Sequence, residues 1–165
     1  MTRTLPVLLL LLALLFVLPA FSQGPGEKLP SVTMAAVGKV QVKAGEPVSV
    51  ELDFRIGSEF HINSNKPKSE LLIPTVLKLQ AAEPVSLVAV KYPAGQDVAF
   101  PFAPNEKLSV YSGDFAITAV VKAPPKAAPG EYPVTGELRF QACDRSACYP
   151  PRSISVKFSV TVVGR

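Results

Sequence analysis

The stretch Val48-Ser49-Val50-Glu51-Leu52-Asp53-Phe54-Arg55-Ile56 alternates apolar and polar side chains without a break. A period of two places Val48, Val50, Leu52, Phe54 and Ile56 on one face of an extended chain and the polar residues on the other, the signature of a half-buried β-strand. The end of the chain repeats it. Ile154, Val156, Phe158, Val160 and Val162 face one way, and Ser153, Ser155, Lys157, Ser159 and Thr161 the other. Between these two strands, Leu72 to Leu79, Val85 to Tyr92, Phe115 to Val121 and Tyr132 to Phe140 are short and rich in β-branched residues. Turn signals part them at Ala44-Gly45-Glu46-Pro47, Asn63-Ser64-Asn65-Lys66-Pro67, Ser112-Gly113-Asp114 and the proline-rich Ala123 to Gly130. Seventeen prolines, ten glycines and no segment of helical period argue against a bundle. The pattern predicts an all-β fold, an immunoglobulin-like antiparallel β-sandwich, with a small closed barrel as the competitor.

The N-terminus sets the compartment. Arg3 precedes an apolar, leucine-rich run from Leu5 to Leu18, and Ala20-Phe21-Ser22 presents small residues where a signal peptidase reads. The run is shorter than the roughly 20 residues that span a bilayer. Residues 1–22 are therefore expected to be a secretory signal peptide, 23–31 a mobile leader and 32–165 one domain. The net charge of +4 includes Arg3, and the lysines are scattered, so the basic stripe that nucleic acid requires is missing. No other segment reads as a membrane span, and an exported domain can hold a disulfide.

Two cysteines, Cys143 and Cys148, stand five positions apart in Gln141-Ala142-Cys143-Asp144-Arg145-Ser146-Ala147-Cys148-Tyr149-Pro150-Pro151. They close a loop between the strand ending near Ala142 and the strand beginning at Arg152. A ring this short would supply only about 2 kcal/mol as a staple. Leu138, Phe140 and Ala142 share a parity, which predicts Cys143 on the opposite face, away from the core and reachable. Asp144 and Arg145 act on a thiol with opposite signs, so its pKa has no predicted direction. Zinc would want four ligands in close pairs, whereas Cys143, Cys148 and the single histidine, His61, make three. Neither a metal nor any other cofactor is expected, and the short C-x-x-C of a thioredoxin fold is absent. A working redox couple and an inert staple both remain open on these residues alone.

Phe60-His61-Ile62-Asn63-Ser64-Asn65-Lys66-Pro67, Leu72-Ile73-Pro74-Thr75, Val110-Tyr111-Ser112-Gly113-Asp114 and the cysteine loop ending Cys148-Tyr149-Pro150-Pro151 carry a resemblance. From about Val37 to Val162 the chain resembles the N-terminal periplasmic domain of the thiol:disulfide interchange protein DsbD. The resemblance implies a periplasmic immunoglobulin-like domain that relays reducing equivalents through Cys143 and Cys148. It makes Cys148 the residue that forms the mixed disulfide and Cys143 the one that resolves it. It also implies an aromatic cap over the disulfide, for which Phe102 and then Phe100 are the candidates. His61, Tyr111 and Tyr149 are the remaining candidates for the surround, with packing the safer assignment for Tyr111 and a hydrogen-bonded turn-flanking role for His61. The implied partners are thioredoxin-like proteins, a membrane electron carrier, and periplasmic disulfide isomerases or cytochrome c maturation proteins. Full-length relatives continue into a membrane carrier and a thioredoxin-like domain, whereas this chain ends at Arg165, so the donor is expected on another polypeptide. The cysteine loop is one residue shorter than in some relatives. The rival reading is an immunoglobulin-like binding module whose disulfide pins a hairpin.

Overall fold

A computed structural model describes residues 30–164, and the expected signal peptide and nearly all of the expected leader lie outside them. Twelve strands follow in order: β1 (Val32–Met34), β2 (Val40–Lys43), β3 (Pro47–Ile56), β4 (His61–Asn63), β5 (Val76–Ala81), β6 (Ser86–Lys91), β7 (Gln96–Phe100), β8 (Ala103–Ser112), β9 (Asp114–Lys122), β10 (Gly130–Phe140), β11 (Ala142–Cys143) and β12 (Arg152–Val163). They form three four-stranded sheets, ordered β1-β3-β9-β6, β2-β12-β10-β5 and β11-β4-β8-β7. Pairing is antiparallel apart from β2 with β12. The fold is an immunoglobulin-like sandwich, as the alternation implied. No helix among the described residues is long and apolar enough to cross a membrane.

The core follows from that alternation. Val50, Leu52, Phe54 and Ile56 of β3, with Ile117, Ala119 and Val121 of β9, meet Val134, Leu138 and Phe140 of β10 and Val156, Val160 and Val162 of β12. All are buried, and full burial of each large aliphatic or aromatic side chain contributes roughly 1.5–3 kcal/mol. Gly136 lies where β10 packs against β5 with no room for a side chain. A Cβ there would lie 2.0 Å from the Lys78 carbonyl oxygen. Gly113, at φ 65°, takes the left-handed conformation that turns β8 into β9.

Two expectations need correction. The segment Leu72 to Leu79 is strand only from Val76, because the backbone before it folds into a loop: Leu72 N–H bonds the Ser69 carbonyl and Ile73 N–H bonds the Gln141 side chain. The leader does not extend to residue 31, since Pro30 is buried and its carbonyl accepts a hydrogen bond from Arg152 at 3.1 Å. Strands β7 and β8 pair as a hairpin with Phe100, Pro101 and Phe102 at its tip.

The candidate redox site

Sheet topology assembles the site from distant segments. The chain leaves β10 at Phe140, which pairs with Arg152, and re-enters a different sheet at Ala142, which pairs with Ile62 of β4. Gln141 lies between the two strands, and the parity of β10 ends there. Ala142 is buried against the core, and Cys143 on the opposite face is also fully buried, with 0% of its surface exposed. The expectation of a reachable Cys143 is thus wrong. That face is not open to water, because His61 lies directly opposite Cys143 on β4 and the tip of the β7–β8 hairpin stacks on His61.

Cys143 and Cys148 form a disulfide with Cα atoms 3.9 Å apart. They sit as an antiparallel pair in a tight hairpin closed on one side by Tyr149 N–H to the Ala142 carbonyl (2.8 Å) and on the other by Asp144 N–H to the Ala147 carbonyl (2.9 Å). Asp144 shapes the turn: one carboxylate oxygen accepts the Ser146 and Ala147 N–H groups at 2.6 and 2.9 Å, and the other accepts the Tyr149 hydroxyl at 2.8 Å. An aspartate taking backbone donors two and three residues ahead is the ordinary device of such turns. Those three donors hold its carboxyl below the usual carboxylate range. The result is asymmetric: Cys148 is exposed, Cys143 is not.

Gln141 and Asn63 tie the loop to its surroundings. The Gln141 side-chain oxygen accepts Asn63 Nδ2 and the Ile73 N–H, while its amide nitrogen donates to the Tyr149 carbonyl at 3.3 Å. Asn63 Nδ2 also donates to the Ile73 carbonyl, and Asn63 is wholly buried. Neither was singled out from sequence. The Asp-x-Ser-Ala spacing could have revealed the Asp144 turn, but an isolated Gln before a cysteine carries no local signal.

The other candidates divide. Phe100 stacks on His61 with ring centroids 4.0 Å apart, and Phe102 stacks on Phe100 at 5.4 Å. Phe102 is 39% exposed and lies outermost, so Phe100, ranked second, is the ring nearer the disulfide strand. Tyr149 packs edge-on against Phe60 at 5.8 Å. Tyr111 is a packing residue: it is buried, stacks on Phe115 at 4.9 Å, and its hydroxyl is taken by Asn65 Oδ1 (2.7 Å) and the Pro93 carbonyl (3.1 Å).

His61 is 5% exposed, and burial lowers its pKa to about 4 despite the opposing pull of Asp144. Its Nε2 is buried with no hydrogen-bond partner among the described residues, contrary to the hydrogen-bonded role expected. No group of three His, Cys, Asp or Glu side chains able to hold a metal occurs among the described residues. A cavity of about 610 Å³ lies along β1, β3 and β9, lined by Met34, Asp53, Phe54, Arg55 and Phe115, and none of the cysteine-loop residues contributes to it.

Residues 30–159 match the sequence model of the family described as thiol:disulfide interchange protein DsbD, N-terminal. The chain belongs to the DsbD N-terminal family. The match spans both cysteines, the contacts just described and the sandwich up to the middle of β12. Among solved structures, the complex between the DsbD N-terminal and PilB N-terminal domains from Neisseria meningitidis includes a chain 20% identical, with 82% of this chain and 87% of that one covered at a TM-score of 0.46. A type I cohesin of ScaB from Pseudobacteroides cellulosolvens is 18% identical, covering 81% and 93% at a TM-score of 0.49. No curated protein sequence matches.

Proposed function

We propose that this DsbD N-terminal domain is a periplasmic thiol:disulfide interchange module, reductase-like in activity, that passes reducing equivalents between other proteins through Cys143 and Cys148. The observation that carries this reading is the exposure asymmetry of the disulfide within a family-matched loop. An exposed sulfur can be met by a partner, while a buried neighbour five residues away is held to attack it afterwards. Cys148 forms the mixed disulfide; Cys143 resolves it. The protein substrate needs no pocket, which agrees with a site built on a hairpin surface.

Thioredoxin-like proteins and a membrane electron carrier are the proposed donors, and disulfide isomerases or cytochrome c maturation proteins the proposed acceptors. Residues 1–22 serve in this reading as a cleaved export signal, 23–29 as a linker, and the Phe100–Phe102 tip as a cap that partners move aside.

Equilibration of the purified protein against glutathione and dithiothreitol buffers tests the reading. A couple that exchanges with glutathione near the roughly −180 to −230 mV range of disulfide-handling proteins supports it. A couple that stays oxidised below about −300 mV marks a staple and overturns it.

A further inference from the structure

Three residues stand side by side across the third sheet: Cys143 on β11, His61 on β4 and Ser112 on β8. Directly opposed residues share a face with Cβ atoms about 4.5–5.5 Å apart, so the imidazole and the Cys143 sulfur occupy neighbouring places in one covered layer. Phe100 closes that layer from above. Within it, Nε2 of His61 has no hydrogen-bond partner among the described residues. Leaving a buried polar atom unpaired is costly, so a partner that forms in another state of the protein would account for it. Opening the disulfide creates such a partner one strand away. This step rests on the proposed cycling of Cys143 and Cys148 between disulfide and dithiol.

We propose that His61 takes the proton of Cys143 when the disulfide opens, holding that sulfur as a thiolate ready for the resolving step. A dithiol donor delivers two electrons and two protons and is itself oxidised to a disulfide; one proton settles on Cys148, the other on His61 beside the Cys143 thiolate. In transfer to an acceptor, Cys148 gives up its proton and attacks the acceptor disulfide, and the first acceptor sulfur leaves and is protonated. The Cys143 thiolate then attacks the Cys148 sulfur, the bond to the acceptor breaks, and the second acceptor sulfur leaves and receives the proton from His61. The acceptor ends as a dithiol and the internal disulfide is restored.

The surroundings favour this cycle. With the disulfide closed the ring is neutral, because burial keeps its pKa near 4. A thiolate forming beside it adds an opposite charge that raises that pKa. The groups that face the ring are Cys143 from β11, Ser112 from β8, Phe100 from the hairpin and the Asp144 carboxylate from the cysteine loop; Asp144 also favours the imidazolium. Asp144 stays ionised through its bonds to Ser146, Ala147 and Tyr149.

The test is a stopped-flow reaction of the reduced protein with one equivalent of 5,5′-dithiobis(2-nitrobenzoate) from pH 5 to 9. The first thionitrobenzoate released reports attack by Cys148, and the second reports resolution by Cys143. His61→Phe keeps an aromatic ring under Phe100 and removes the nitrogen; His61→Asn, smaller and uncharged, serves if the first variant does not fold. Expected are a first phase within about twofold of wild type and a second phase at least tenfold slower at pH 7. The variant's second phase should recover only as pH passes the ordinary thiol pKa of about 8.5. A second phase with the wild-type rate and pH profile overturns the role of His61. Absence of the first phase in the folded wild-type protein overturns the exchange reading and this proposal with it.

Discussion

Replacing His61 with phenylalanine should remove a specific pH dependence from the stability of the oxidised protein. His61 is the one histidine in the chain, and in the folded protein its pKa falls from 6.5 to about 4 through burial. The folded pKa lies below the unfolded one, so between pH 6.5 and 4 the unfolded chain binds more protons. Stability contributed by the neutral ring is complete above pH 6.5 and declines as pH falls toward 4. At about 1.36 kcal/mol per pH unit the ceiling is roughly 3 kcal/mol. The ring is only 5% exposed, yet it lies one layer beneath solvent, behind the half-buried Phe100, and solvent screening there brings the expected loss to about 1–2 kcal/mol. Asp144 and Asp114 titrate below this window, since hydrogen bonds hold both carboxyls under the usual range. Urea unfolding followed by circular dichroism at pH 7, 5.5 and 4, for wild type and His61→Phe, measures the effect. The wild type should lose about 1–2 kcal/mol more than the variant across that interval. Parallel losses in the two proteins would refute a buried, neutral His61.

Gly136→Ala should destabilise the domain by about 1–3 kcal/mol in the same unfolding assay, because the added methyl meets the Lys78 backbone carbonyl and the Leu79 Cα, which cannot swing aside as a side-chain tip can. Unchanged stability would mean that β5 and β10 are not held at this separation. Phe100→Ala removes the ring stacked on His61 and should speed reduction of the disulfide by dithiothreitol several-fold, with a smaller effect from Phe102→Ala because that ring lies outside the first. Equal reduction rates in wild type and both variants would show that the hairpin tip does not shield the disulfide.

The sandwich was legible because β3 and β12 carry long runs of clean alternation, Val48–Ile56 and Ser153–Val162, where one face is core and the other solvent. Short strands left weaker traces. His61-Ile62-Asn63 is buried on both faces, so it shows no alternation, and β7 with β8 carries a proline-flanked tip that reads as loop. The cysteine pair was visible, but its geometry was not. Parity counted from β10 failed for Cys143 because the chain changes sheets at Gln141, a step that depends on pairing with β4 some 80 residues earlier. The same long-range pairing brought His61 beside Cys143 and put Phe100 above it. Sequence reasoning could name these residues through family resemblance, yet only the register shows which of them meet.

Cys148 is the proposed sulfur that meets partners, and Cys143 the one proposed to be held in reserve. Reduced Cys143→Ala and Cys148→Ala variants, each mixed with a purified, oxidised thioredoxin-fold protein and resolved by intact mass, test that division directly. Cys143→Ala should accumulate a mixed disulfide through the exposed Cys148, and Cys148→Ala should accumulate at least tenfold less, because its remaining sulfur is buried. Equal adducts from the two variants, or none from Cys143→Ala, would contradict it.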